Sequence, residues 1–244
     1  MTDLALLGFI TGLTSGFFGV GGGMILVPML LYFGYVMKDA VAISIMQMVF
    51  SSLYGSFLNY KKNKSILKDG IVIGLGGFLG GLQNSFIHTF VSNESLQMLF
   101  IAIVVFSIYR LTFSSAHGDE SKKSHNRPLL FIVGFIIGMI AMSIGVGGAV
   151  MVIPILVGYL YYNLKDAASM GLFFVIFSSI AGFLSLSFAG EMLYNEGAIV
   201  GIASLIGVYF GVKLKHLVNI QNYKYFILIL NAFILSFMVY KTFL

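Results

Sequence analysis

Two glycine runs, Gly19-Val20-Gly21-Gly22-Gly23 and Gly145-Val146-Gly147-Gly148-Ala149, are the residues whose type and spacing point most directly to chemistry. Where side chains are absent, backbone N–H groups can approach a ligand closely. A helix that begins just after such a run, from about Met24 or Val150, aims its unpaired N–H groups and the positive end of its dipole at the break, which favours an anion. Two such ends related by a repeat would make one electropositive cavity without a charged side chain. The spacing is not that of a nucleotide loop. G-x-G-x-x-G fails at Met24 and Val150, and no strand pattern precedes either run.

Hydroxyls and amides near the runs supply further donors. Ser15 and Ser143 come just before the breaks, and Ser51/Ser52 and Ser178/Ser179 occupy matching mid-helix positions. A helical serine commonly bonds back to its own i−4 carbonyl; the alternative is that the duplicated hydroxyls converge on one anion. Gln47, Gln83 and Asn84 are costlier to bury, and in the second half their places are taken by Phe174, Phe210 and Gly211. They either join helices or line a path. Tyr54 and Tyr209 are further donors or members of an interfacial belt.

The elements that must hold these residues are membrane helices. Of 244 residues, 59% are hydrophobic and 9% are charged, and the mean hydropathy is +0.98. A soluble domain carries about 45–50% apolar and about 25% charged residues, so a soluble enzyme, a nucleic-acid-binding domain and a disordered chain are excluded. The net charge of +5 fits the accumulation of Lys and Arg in cytoplasmic loops. With no cysteine there is no disulfide, thiolate metal site or thiol nucleophile. All nine acidic residues sit at or beyond the ends of apolar runs, which disfavours an intramembrane carboxylate relay. His88, His117, His125 and His216 lie near ends or in the linker, which disfavours a buried haem pair. No metal, cofactor or catalytic residue is expected. Met1-Thr2-Asp3-Leu4 lacks the positive region of a signal peptide.

Apolar runs cover about 4–36, 40–58, 70–91, 95–113, 129–162, 167–189, 197–212 and 223–243, all but the first of each half near the roughly 20 residues a crossing needs. The chain divides into a first transmembrane repeat at 1–113, a polar linker at 114–128 and a second repeat at 129–244. Gly8-Phe9-Ile10-Thr11-Gly12 recurs as Gly134-Phe135-Ile136-Ile137-Gly138, and Val27-Pro28 recurs as Ile153-Pro154. After a one-residue slip Lys38-Asp39-Ala40 matches Lys165-Asp166-Ala167, and Asp69-Gly70 matches Glu196-Gly197. The first run of each half is too long for one crossing and is interrupted by glycines, which cost about 1 kcal/mol each in a helix. If each enters and returns as a hairpin, all but Lys38 and Lys241 of the fourteen basic residues fall on one side, better than for eight simple spans. The expected fold is therefore all-α and polytopic. It has two inverted repeats, each a Gly-broken, re-entrant segment followed by three spanning helices, with the linker cytoplasmic and both termini outside. Such repeats are the pattern of secondary transporters. The pairs Gly8/Gly12/Gly16, Gly76/Gly80, Gly77/Gly81, Gly197/Gly201 and Gly207/Gly211 have the spacing of close helix packing, and Lys61-Lys62-Asn63-Lys64 reads as a cytoplasmic anchor.

The doubled Gly19-Val20-Gly21-Gly22-Gly23…Pro28 and Gly145-Val146-Gly147-Gly148…Pro154 motifs, in a duplicated chain of this length, resemble the sulfite exporter TauE/SafE family over about residues 4–243. The resemblance implies a bacterial or archaeal inner-membrane transporter of small sulfur-containing or organic anions such as sulfite or a sulfonate. Gly23 pairs with Ala149, so the two breaks need not be equivalent. The expected substrate-binding set is Ser15, Gly19, Gly21, Gly22, Gly23, Gln47, Ser51, Ser52, Ser143, Gly145, Gly147, Gly148, Ser178 and Ser179. The expected partners are the anion and the lipid bilayer, with no nucleic acid and with homo-oligomerisation left open. An anion channel and a non-transporting scaffold subunit are the alternatives.

Overall fold

The computed structural model describes residues 2–60, 67–114 and 126–243. The Lys61-Lys62-Asn63-Lys64 run and most of the 114–128 linker, with His117 and His125, lie outside the described residues. The rest is helical: α1 (Thr2–Phe18), α2 (Gly23–Tyr32), α3 (Met37–Tyr60), α4 (Leu67–Gly81), α5 (Asn84–Phe90), α6 (Asn93–Thr112), α7 (Arg127–Ser143), α8 (Ala149–Gly158), α9 (Leu164–Ala189), α10 (Tyr194–Leu217) and α11 (Ile220–Phe243). Among the described residues, five helices are long and apolar enough to cross a membrane, and the bent pair α4–α5 makes a sixth candidate span. The short pairs α1–α2 and α7–α8 are the glycine-broken segments. A wide set of large apolar side chains, among them Leu79, Ile132, Ile206 and Phe233, is exposed, as a lipid-facing surface requires. This is a polytopic helical membrane protein.

Helix ends follow local chemistry. Ser92, Asn126 and Asn163 cap α6, α7 and α9 by accepting the N–H groups of Ser95, Leu129 and Asp166, the ordinary way of satisfying first-turn donors. Gly190, at φ 74°, ends α9. The half-helices α2 and α8 are different. Their N-caps are Gly22 and Gly148, both left-handed, and neither has a side-chain cap.

The glycine pairs position everything else, and they join the halves crosswise. A Cβ on Gly8, Gly12 or Gly16 of α1 would meet the backbone of Val200, Ser204 or Val208 of α10, while Gly207 and Gly211 of α10 sit on Phe9 and Leu13 of α1. Likewise Gly76 and Gly80 of α4 sit on Phe131 and Phe135 of α7, and Gly134 and Gly138 sit on Ile73 and Gly77. Backbones pressed this closely are the usual device of membrane helix packing. The registers also give directions. Residue numbers rise together along α1 and α10, and along α4 and α7, so each pair is parallel. Gly55 meets Leu172 and Gly182 meets Ile45, so α3 and α9 are antiparallel.

Contacts gather the ends of the helices into two layers. At one, Lys38 donates to the Asn93 side chain through its N–H and to the His88 carbonyl through Nζ, and Thr242 bonds Gln97. At the other, the Tyr162 hydroxyl donates to Asp69 at 2.7 Å, Lys224 reaches the carbonyls of Thr112 and Ser114, and Lys165 donates to the Val218 carbonyl. Arg110 joins this second end by donating to Gly158. Lys38 and Lys241 thus stand at the first end, and Lys165, Lys224 and Arg110 share the second.

Candidate functional site

The two breaks meet. Glycines 19, 21 and 22 have φ of 73°, 81° and 85°, and glycines 145, 147 and 148 have 68°, 79° and 76°, so the two backbones trace one conformation twice. Side chains rarely adopt this left-handed region, which is why the run must be glycine at these positions. A Cβ on Gly23 would overlap the carbonyl oxygen of Gly145, and one on Gly147 would lie 3.3 Å from the Val20 carbonyl. The expected half-helix starts at Met24 and Val150 are each one residue late, because Gly23 and Ala149 already take helical geometry.

The shared cavity foreseen between the half-helix ends is filled where the breaks cross. Met48 and Val175, which occupy matching positions in α3 and α9, both face Gly21 and Gly147: the Met48 sulfur would lie 3.3 Å and 2.6 Å from Cβ atoms on these glycines. Beside the crossing, a cleft of about 10 Å³ is lined by Val20, Met24, Val150, Pro154, Ser107 and Asn231, with others. That volume suits about one water molecule.

The polar groups around the breaks are unevenly divided. The Gln47 side chain lies against Gly22, both its amide atoms 2.8 Å from where a Cβ would stand. It is fully buried, and neither atom has a hydrogen-bond partner. At the matching place the Phe174 ring packs on Gly148. Ser15, Ser52 and Ser56 also have buried hydroxyls without partners. Orphaned buried groups cost about 1–3 kcal/mol each, so such a concentration in α1 and α3 calls for a role. Ser51 donates to the Gly21 carbonyl at 3.2 Å, reaching the first break. Ser143, Ser178 and Ser179 instead bond carbonyls of their own helices, those of Met139, Phe174 and Ile176. The structure thus brings Ser51, Gln47 and the glycines together, and it leaves the second-half hydroxyls engaged locally.

Four residues enter that spacing alone did not single out. Ser44 donates to the Gly145 carbonyl at 2.7 Å, and Met48 and Val175 fill the crossing. His88, buried at 2% exposure, places Nε2 2.9 Å from the Ser143 carbonyl, the last of α7 before the second break. Its position on α5 follows from a 41° bend between α4 and α5, where α10 runs on without interruption. The buried face of α5 carries Asn84 and His88, an i, i+4 pair that was the available signal.

Apolar helices long enough to cross a membrane, packed through glycine faces around two touching glycine breaks, define a multi-pass helical membrane protein. The chain belongs to the sulfite exporter TauE/SafE family, whose sequence profile matches residues 4–238. It is 23% identical over 243 residues to the probable membrane transporter protein YunE of Bacillus subtilis (strain 168), covering 88% of this chain and 87% of that one. It is 29% identical over 217 residues to the probable membrane transporter protein MJ0441 of Methanocaldococcus jannaschii, covering 84% and 80%. A probable membrane transporter protein of Haemophilus influenzae is 27% identical over 198 residues, covering 76% and 73%. No solved structure gave a significant match.

Proposed function

We propose that this protein is a secondary transporter of a small anion, sulfite or an organosulfonate, working by alternating access with the anion held at the starts of α2 and α8. The observation that carries the reading is the contact between the two glycine breaks, Gly23 on Gly145 and Gly147 beside Val20, each break ending in a left-handed helix start without a side-chain cap, with the unpartnered amide of Gln47 against Gly22. Each helix start is equivalent to roughly half a positive charge, so the pair attracts a single negative charge without a lysine or arginine. Gln47, Ser15 and Ser52 add donors on the first-repeat side, and Ser51 and Ser44 fix the break carbonyls.

The helix directions support reading the halves as inverted repeats: α1 runs with α10, which runs with α3 (Gly197 on Met46, Gly201 on Phe50); α7 runs with α4, which runs with α9 (Gly70 on Phe173, Gly74 on Phe177); and α3 opposes α9. Exchange of the two halves' conformations would then turn an outward-open site inward. The breaks touch in the present arrangement, so the anion enters when they part. By the positive-inside rule the end with Arg110, Lys165 and Lys224 faces the cytoplasm of a bacterial or archaeal inner membrane, and both termini face out. The partners in this reading are the anion and the bilayer.

The test is flux of sulfite, with sulfate, acetate and methanesulfonate alongside, in proteoliposomes of the purified protein. Saturable uptake and counterflow of one anion, lost in Gly22→Leu and Gly148→Leu, is the expected result. Non-saturating flux without counterflow makes the protein a channel. Flux unchanged in both variants overturns the site, and no flux for any anion favours a scaffold.

A further inference from the structure

We infer that His88 binds the proton that couples to anion movement, acting as a positioning residue for the second break; this rests on the anion-transport reading above. A carbonyl oxygen only accepts, so the His88 Nε2 that meets Ser143 at 2.9 Å carries a hydrogen, a tautomer assigned from the geometry. In the neutral ring Nδ1 is then a lone pair, and it faces the Glu191 Oε2 at 3.8 Å. The imidazole is buried, but the Glu191 side chain is 42% exposed, so the Nδ1 edge has a polar route to the water at that end of the bundle. The charged groups facing the ring are Glu191, from the link between α9 and α10, and Lys38 of α3, whose Nζ donates to the His88 carbonyl. From α7 it meets the Ser143 carbonyl.

The step is a single proton transfer. A proton from water binds the Nδ1 lone pair, the ring changes from neutral to +1, and the new N–H is shared with the Glu191 carboxylate. The Nε2–H keeps its bond to Ser143. A full positive charge then stands against the residue two places before Gly145, where the second break begins. An anion at that break and a proton on His88 favour one another, and the coupling is reciprocal. The two therefore load together and leave together.

The first break shows what is special about the second. Its matching carbonyl, that of Phe17, is held by the Tyr223 hydroxyl at 2.9 Å, a group that keeps its hydrogen near neutral pH. At the place in α10 that matches His88 stands Lys215, also buried, which donates to Ser169 at 2.9 Å and not to a break. His88 thus brings an imidazole to the second break, where the first has the Tyr223 hydroxyl.

The experiment compares wild type with His88→Gln in proteoliposomes, between about pH 5 and pH 8, the range in which histidine changes charge. Methanesulfonate is the anion, since its own charge is fixed over that range. If sulfite alone exchanges, sulfite is used, and the variant supplies the background of its own titration. Gln keeps an N–H for the Ser143 carbonyl and binds no proton. Wild type is expected to take up anion several-fold faster as the outside is acidified, with protons entering alongside; His88→Gln is expected to retain counterflow above protein-free vesicles and to lose the acid stimulation. Glu191→Gln, on an exposed side chain, is expected to weaken that stimulation and serves if His88→Gln does not fold. A second readout needs no transport: the His88 ring resonance in nanodiscs should titrate between about pH 5 and pH 8, with a midpoint moved by added anion. A His88→Gln pH profile that superimposes on wild type, or a His88 resonance that does not titrate, overturns the assignment. Absence of flux for every anion overturns the transport reading instead.

Discussion

The hydrogen that Gly23 carries in place of a side chain points at the carbonyl oxygen of Gly145, and the Ser44 hydroxyl donates to that same oxygen at 2.7 Å. The second repeat reverses the arrangement. There the helix start carries a methyl group, Ala149, and the residue matching Ser44 is Gly171, whose Cβ would stand 3.1 Å from that methyl and 3.4 Å from the Gly19 carbonyl. Each repeat thus fills the corner beside the other's break once, with a side chain from one element and glycine on the other.

This exchange predicts a coupled pair. Gly23→Ala alone should destabilise the fold by about 1–3 kcal/mol, as overpacking does, and Ser44→Gly should recover part of the loss. Thermal melts of the purified single and double variants test it. Additive losses, where contacting residues normally couple by about 0.5–3 kcal/mol, would sink the idea.

Gln47→Leu separates site from scaffold. Two buried amide atoms without partners destabilise the fold, so an apolar replacement of similar size should raise the melting temperature. If Gln47 contacts the anion, the same variant should lose flux by tenfold or more. A variant that is both more stable and fully active would show that Gln47 is not part of the site.

Close-packed glycines set a harsher prediction. Gly12→Ile would drive a side chain into the backbone at Ser204, and Gly80→Ile would do so at Phe135. Neither backbone can yield without separating α1 from α10 or α4 from α7. Both variants should fail to give a monodisperse protein in detergent, whereas Gly34→Ala, with nothing within 4 Å and only the backbone strain of its φ of 91° to bear, a cost of about 1–2 kcal/mol, should still purify as a monodisperse protein. Size-exclusion profiles decide it.

Sidedness is open to direct chemistry because the chain has no cysteine. Lys241→Cys and Leu217→Cys place single thiols on exposed residues at opposite ends of the bundle. An impermeant maleimide applied to intact cells should label the first and spare the second. Labelling of both from outside would contradict the topology.

Much of this arrangement was legible in the residues. The all-helical, membrane-spanning character and the two breaks follow from apolar content and glycine placement, both local or additive signals. The helix starts were placed within one residue for the same reason. What spacing could not give was the choice each hydroxyl makes. Ser51 and Ser178 hold matching positions, yet one reaches the Gly21 carbonyl and the other turns back to Phe174. Ser44, Met48 and His88 gain their meaning from partners about a hundred residues or so away, or in the other repeat, and a single chain read in order carries no mark of them. The different neighbours of the two breaks, Gln47 at Gly22 and Phe174 at Gly148, were legible in the sequence as an amide matched by a ring.

The crosswise pairing of α1 with α10 bears on how the protein is made. The glycine face of α1 finds its partner at Val200 and beyond, nearly two hundred residues later in synthesis. At ordinary ribosomal speed that delay is roughly 10–40 s. For that time α1 waits in the membrane with its backbone pressed against lipid or the insertion machinery, and α4 waits more briefly for α7. Neither repeat completes itself; each borrows its first packing partner from the other. A ribosome that stops within the second repeat would therefore release a chain whose opening helix never docks, which makes the nascent first half a natural client for membrane quality control.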